Sequence, residues 1–145
     1  TPENLYLRQM AAKALIDLGA AAHDAGEKEA AIDWYQKALE LDRKYLGPFQ
    51  GLAVLYLEKE QFNAAIDAYT EALRIAPGIG NMWVGLAIAE SRLGNAESAY
   101  RAVQKAMPLV RSQPDYDSVF VDMEAHFSSI GERGWADEIR SHLTR

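Results

Sequence analysis

The segment Ala30–Asp42, AAIDWYQKALELD, returns thirty-four residues later as Ala64–Ala76, AAIDAYTEALRIA. The same offset joins Leu15 to Phe49, Leu18 to Leu52, Gly19 to Ala53, Ala31 to Ala65, Tyr35 to Tyr69 and Ala38 to Ala72. It then continues to Trp83, Leu86, Ala87, Ala99, Val103 and Ala106. After three extra residues a degenerate fourth copy follows, with Phe120, Met123, Phe127, Gly131, Ala136, Arg140 and Leu143 in the corresponding places. A fixed period of this length marks a chain built from one supersecondary unit used repeatedly.

Inside each copy the apolar residues fall at helical spacing, and a polar or glycine-containing corner divides the copy in two. The corners are HDAGE, LEKEQ, RLGNA and IGERG. Between copies lie LDRKYLGP, APGIGN and PLVRSQPDYD, in which Pro77, Pro108 and Pro114 are expected to obstruct continued helix. Helices are therefore predicted near 3–24, 27–43, 47–59, 62–75, 81–93, 96–107, 117–130 and 134–144, paired as four hairpins. A hairpin of about 30 residues cannot bury its apolar stripe alone, so neighbours must stack. The small residues Ala31, Ala65 and Ala99, with Gly19, Ala53 and Ala87 in the preceding helices, mark where backbones approach, and a large side chain there would push the helices apart.

The totals agree with helix and limit the function. In 145 residues, 49% are hydrophobic and 25% charged, and the formal charge is −6 with a pI near 5.0. That acidity opposes a phosphate backbone, which is normally met by a basic stripe, so no nucleic-acid partner is expected. Without cysteine there is neither a disulfide framework nor a thiolate metal site, and the compartment stays open. No apolar run is long enough to cross a bilayer, and TPENLYLRQM lacks the apolar core of a signal peptide. Beginning with Thr rather than Met, the chain reads as an excised domain or a processed product.

These residues resemble the tetratricopeptide-repeat (TPR) family, whose 34-residue units carry a characteristic series of aromatic and small residues. The second unit fits best, through Phe49, Leu52, Ala53, Tyr56, Phe62, Ala65, Tyr69, Ala72 and Pro77, with Glu60 where glycine is usual. The first departs at Ala22, Lys28 and Arg43, and the third at Glu90, Ala96 and Val103. The resemblance implies an all-α fold, a right-handed α-solenoid of stacked antiparallel hairpins. It divides a single domain, 1–145, into an N-terminal helix extension at 1–11, repeats at 12–45, 46–79 and 80–113, and a degenerate repeat or C-terminal cap at 114–145. A related 35-residue helical repeat that reads RNA is disfavoured by the strict 34-residue period and the acidic balance.

The resemblance further implies that the first helices line a concave groove for a partner peptide or helix. The groove residues it assigns are Ile16, Ala20 and His23, then Gln50, Val54 and Leu57, then Asn81, Val84, Ile88 and Ser91, and finally Val121 and Ala125. Lys13, Glu58, Arg92, Ser118, Asp122 and Ser128 adjoin them. An exposed strip of Ile16, Val54, Val84, Ile88 and Val121 would need cover. Some relatives clamp acidic chaperone tails, but the aligned Ile16, Ala20, Gly51, Asn81 and Gly85 supply no cation, so that partner is not expected.

Two ends of the chain stand apart from the repeat. Thr1-Pro2-Glu3 is a helix start, and Leu5, Leu7, Met10 and Ala14 can extend the first helix as an apolar stripe that joins another unit or a second copy. Trp135, Ile139 and Leu143 give the last helix one apolar face, with Asp137, Glu138 and Arg140 on the wet one, as a terminal cap requires. Trp34, beside Tyr35, is expected to reach a neighbouring unit or the surface.

No nucleotide loop, nucleophile elbow, HExxH or dinucleotide fingerprint is present, and His23, His126 and His142 fall on different units. Asp122 and His126 share a helix face at a spacing of four, which fits a solvated polar face better than a metal pair. No catalytic residue, cofactor or metal is therefore expected. The reading is a non-catalytic scaffold for a protein or peptide. Self-assembly is the competing reading, as is a regulatory domain attached to an enzyme region.

Overall fold

A computed structural model describes residues 1–145. It contains eight α-helices: α1 Pro2–Asp24, α2 Lys28–Leu41, α3 Leu46–Glu58, α4 Phe62–Ile75, α5 Gly80–Arg92, α6 Ala96–Leu109, α7 Asp117–Ser129 and α8 Arg133–Leu143. A 3-10 turn, Pro114–Tyr116, precedes α7. The helices follow the sequence reading closely, with one correction at Pro108. That proline lies inside the last turn of α6 instead of stopping it. So near the C-terminus it removes a single backbone donor, and Val110 N–H still closes the helix on the Ala106 carbonyl at 3.0 Å.

The four hairpin corners are one structure repeated. Gly26, Glu60, Gly94 and Gly131 all take positive φ, at 78°, 57°, 79° and 89°. The following N–H in each case donates back five positions along the chain, Glu27 to Ala22, Gln61 to Tyr56, Asn95 to Glu90 and Glu132 to Phe127, at 2.8–2.9 Å. This αL ending satisfies carbonyls that the helix would otherwise orphan. Glycine adopts it freely, whereas a side chain costs about 1 kcal/mol. Glu60→Gly is accordingly expected to stabilise the protein by about 1 kcal/mol. Thermal unfolding tests it, and an unchanged or lowered midpoint would contradict it.

The first compact unit, Thr1–Pro77, holds α1 to α4. Thr1 caps α1, its hydroxyl accepting from Asn4 N–H at 3.3 Å. Ala31, Ala53 and Ala65 are each wholly buried, and Gly19 is buried beside them. The reason is visible at Tyr35, whose ring lies between α1 and α3. A Cβ added at Gly19 would stand 2.7 Å from one edge of that ring, and one at Gly51 2.3 Å from the other. Ion pairs cross the same hairpins, from Lys28 to Glu58 at 3.2 Å and from Lys59 to Glu29. Lys59 also holds the Glu29 carboxyl below the usual range, chiefly through this hydrogen bond. Trp34 is half-buried with the Lys37 ammonium 4.8 Å from its ring centre.

The second unit, Gly78–Arg145, holds α5 to α8 around a core that includes Ala87, Ala99, Val103, Phe120, Phe127 and Ile139. The longer connector buries Val110 against the start of α5, where a Cβ at Gly80 would meet its Cγ1 at 2.5 Å. The degenerate hairpin is fastened by aromatic rings. Tyr100 stacks on Trp135 at 4.5 Å between centroids, and Phe127 meets both edge-on, at 5.8 and 5.5 Å. The Tyr100 hydroxyl donates to the Glu138 carboxylate. Burial, then that hydrogen bond and charge, push its pKa up to about 12. Ala136 and Ile139 are buried, and Trp135 and Leu143 half-buried, so α8 turns inward the face expected of it.

Candidate protein-binding face

Within the first unit, α1 and α3 pack against each other and carry the first six assigned residues between them. Ile16, Gln50, Val54 and Leu57 are half-buried, and Ala20 is exposed. Such partial burial leaves each apolar side chain anchored by its neighbours while part of it faces water. At the rim, Glu58 is already engaged by Lys28 and by His23, whose Nε2 is 3.7 Å from its carboxylate. A cationic hole for an acidic group is not formed by this trio, because the carboxylate sits between the two basic groups.

In the second unit, a cleft opens between α5 and α7. Its floor is apolar, from Ile88, Val119 and Met123, and its rim polar, from Ser91, Arg92, Asp122 and His126. Two of the assigned residues, Ile88 and Ser91, therefore line it. Val84 does not. It is only 3% exposed, packed in the core of this unit, and the exposed strip expected from sequence is corrected at that position. An apolar valine side chain is better placed in that core than in water. Asn81, Val121 and Ala125 are exposed but do not line the cleft. The α7 stripe that does line it runs through Val119, Asp122, Met123 and His126, and sequence reasoning offered Asp122 but missed Val119 and Met123. Their apolar spacing of four was the available signal.

A second depression, on α5 and α6, is lined by Trp83, Leu86, Glu90, Ser98, Arg101 and Lys105. The residues thirty-four positions earlier, including Phe49, Leu52, Tyr56 and Ala64, line a matching depression on α3 and α4. It is a recurring seam of the hairpin. His126 and Asp122 gather no third ligand, and no group of three or more His, Asp or Glu is placed to hold a metal. His142 lies edge-on to Phe120 at 5.4 Å, and burial, followed by the nearby Arg111 charge, lowers its pKa. No helix is long and apolar enough to cross a membrane.

Family models described as "Tetratricopeptide repeat" match residues 11–77 and 51–116, and so together span 11–116. A probable UDP-N-acetylglucosamine–peptide N-acetylglucosaminyltransferase SPINDLY from Oryza sativa subsp. japonica is 40% identical over 58 residues, 40% of this chain. The chain spans a small part of such curated relatives, 6% in this case. Among solved structures, a crystal structure of MamA superposes with a TM-score of 0.80 at 19% identity, covering 99% of this chain and 82% of that one. The Arabidopsis OM64 TPR domain superposes with a TM-score of 0.75 at 18% identity, covering 82% of this chain and 98% of that domain. At these identities the likeness to solved structures establishes the fold alone.

Proposed function

We infer that this chain, which belongs to the tetratricopeptide-repeat family, holds a partner segment on the first helices of its hairpins and performs no chemistry of its own. Its repeats make it a protein-interaction scaffold. The observation that carries the finer reading is the half-buried apolar residues that the first helices carry in each unit, Ile16, Val54 and Leu57 in the first and Ile88 in the second, with polar side chains beside them. Apolar floors with polar rims are what a docked helix or extended peptide requires, the floor supplying burial and the rim register. The segment that fits presents apolar side chains at helical or alternate spacing. An acidic chaperone tail does not fit, because Glu58 would repel it and Lys28 and His23 are already committed to that carboxylate.

Selection from a displayed peptide library, followed by calorimetry, tests this. The paired substitution Val54→Asp with Ile88→Asp is expected to weaken the selected peptides at least tenfold, because two carboxylates must then be desolvated on binding. Helical circular dichroism should stay unchanged, since neither side chain belongs to the fully buried core. Undiminished affinity in the folded double variant would sink the reading.

A further inference from the structure

The last turns of α6 and α8, set apart from the first helices, line a depression of about 370 Å³. Each helix brings the same stripe. Gln104, Met107, Pro108 and Arg111 follow one another at i, i+3, i+4 and i+7, and Glu138, Ser141, His142 and Arg145 repeat that spacing, so each series keeps to one helix face. Two guanidiniums and an imidazole are thereby brought to one place in a chain whose formal charge is −6.

The packing beneath holds these groups in position. Val110, beside Arg111, is buried, and the His142 ring lies edge-on to the buried Phe120 at 5.4 Å. Burial, then the Arg111 charge, keep the pKa of His142 below its ordinary value; Asp117, at the start of α7, opposes them and Arg145 adds to them. Asp117 does not line the depression. The carboxylate that does, Glu138, is held by the Tyr100 hydroxyl and, at 3.5 Å, by the Gln104 amide. Elsewhere in the unit Arg101 pairs with Glu97, and Arg140 with Glu124 and Asp137. Arg111 and Arg145 have no carboxylate within ion-pair distance, and neither guanidinium donates a hydrogen bond. Cations at helix ends commonly answer the negative pole of the dipole. That role leaves the donors of these two unspent, because the closing carbonyls of α8 accept from the Thr144 N–H and hydroxyl and from the Arg145 N–H.

We propose that this depression binds the phosphate monoester of a phosphorylated protein segment. A guanidinium offers paired N–H donors that match two phosphate oxygens, and two of them answer the charge of a dianion. A carboxylate, with one charge and two oxygens, would leave one of the two forks without a partner. The Ser141 hydroxyl and the His142 ring, which takes up a proton as the anion arrives, supply the remaining donors. Met107 and Pro108 give the residue next to the modified one an apolar wall. A protein segment fits better than a nucleic acid, whose run of phosphates would meet an acidic chain beyond this one depression.

The probe is a blocked pentapeptide with a central phosphoserine between leucines, titrated into the full chain at neutral pH. Its dissociation constant is expected below about 1 mM, and about tenfold tighter than that of the same peptide carrying glutamate. Arg111→Gln, at an exposed position, should weaken it roughly fivefold with helical circular dichroism unchanged. By ring-proton NMR the titration midpoint of His142 should rise on binding, since a bound anion favours the charged imidazole. His23 and His126, which do not line the depression, are the controls. The Val54→Asp, Ile88→Asp variant should bind the phosphopeptide undiminished, which keeps this outcome separate from that of the first helices. Equal binding of the glutamate peptide, binding that survives Arg111→Gln, or an unmoved His142 midpoint would overturn the proposal. So would inorganic phosphate that binds as tightly as the peptide, or a short DNA single strand that displaces it, because the ligand would then not be a protein segment.

Discussion

Phe127→Ala is expected to destabilise the protein by about 3–5 kcal/mol, the largest effect of any single truncation considered. The side chain is 0% exposed and meets Tyr100 and Trp135 edge-on, so its loss leaves a cavity beneath a stacked pair that cannot collapse without breaking the stack. The damage should be local first. The fourth hairpin is fastened to α6 by this cluster and by the Tyr100–Glu138 hydrogen bond. Hydrogen exchange should therefore quicken across residues 117–143 before it does elsewhere. Chemical denaturation measures the total, and a shift below about 1 kcal/mol would mean the cluster is not the fastening.

Gly51→Ala is expected to destabilise by about 1–3 kcal/mol, although alanine is the better helix former by about 1 kcal/mol. Overpacking wins because the new methyl would sit 2.3 Å from the Tyr35 ring, and the ring cannot retreat with Gly19 against its other edge. A compensating change separates this clash from a general helix effect. Combined with Tyr35→Leu, the alanine should regain most of its cost, as contacting residues couple in a double-mutant cycle. A stabilised Gly51→Ala protein, or additive costs in the pair, would show that the ring has room to move.

The 34-residue offset carried almost all of the helix plan, because the same apolar spacing recurs whether a copy is regular or degenerate. The corners were legible too, even at Glu60, where the αL turn persists without the usual glycine. What stayed hidden depends on which side chains meet in space. Val84 shares its repeat position with the half-buried Ile16 and Gln50, yet it is buried in the second unit's core, an environment that its place in the period does not specify. The α5–α7 cleft escaped because its α7 side is the stripe through Val119 and Met123, one face round from the stripe assigned by repeat position. The aromatic fastening escaped for a related reason. Tyr100 stands where the first two copies have Ile32 and Ile66, and Trp135 where earlier copies have Ala30, Ala64 and Ser98. Each looks like a departure from the pattern alone, and only their stacking turns two departures into one contact.

The face that binds is measured most directly by backbone amide NMR while a library-selected peptide is titrated into the chain. Shift changes gathered at Ile16, Val54, Leu57, Ile88 and Ser91 are the predicted result. Changes gathered at Ser98, Arg101 and Lys105, with the first-helix residues unmoved, would contradict it.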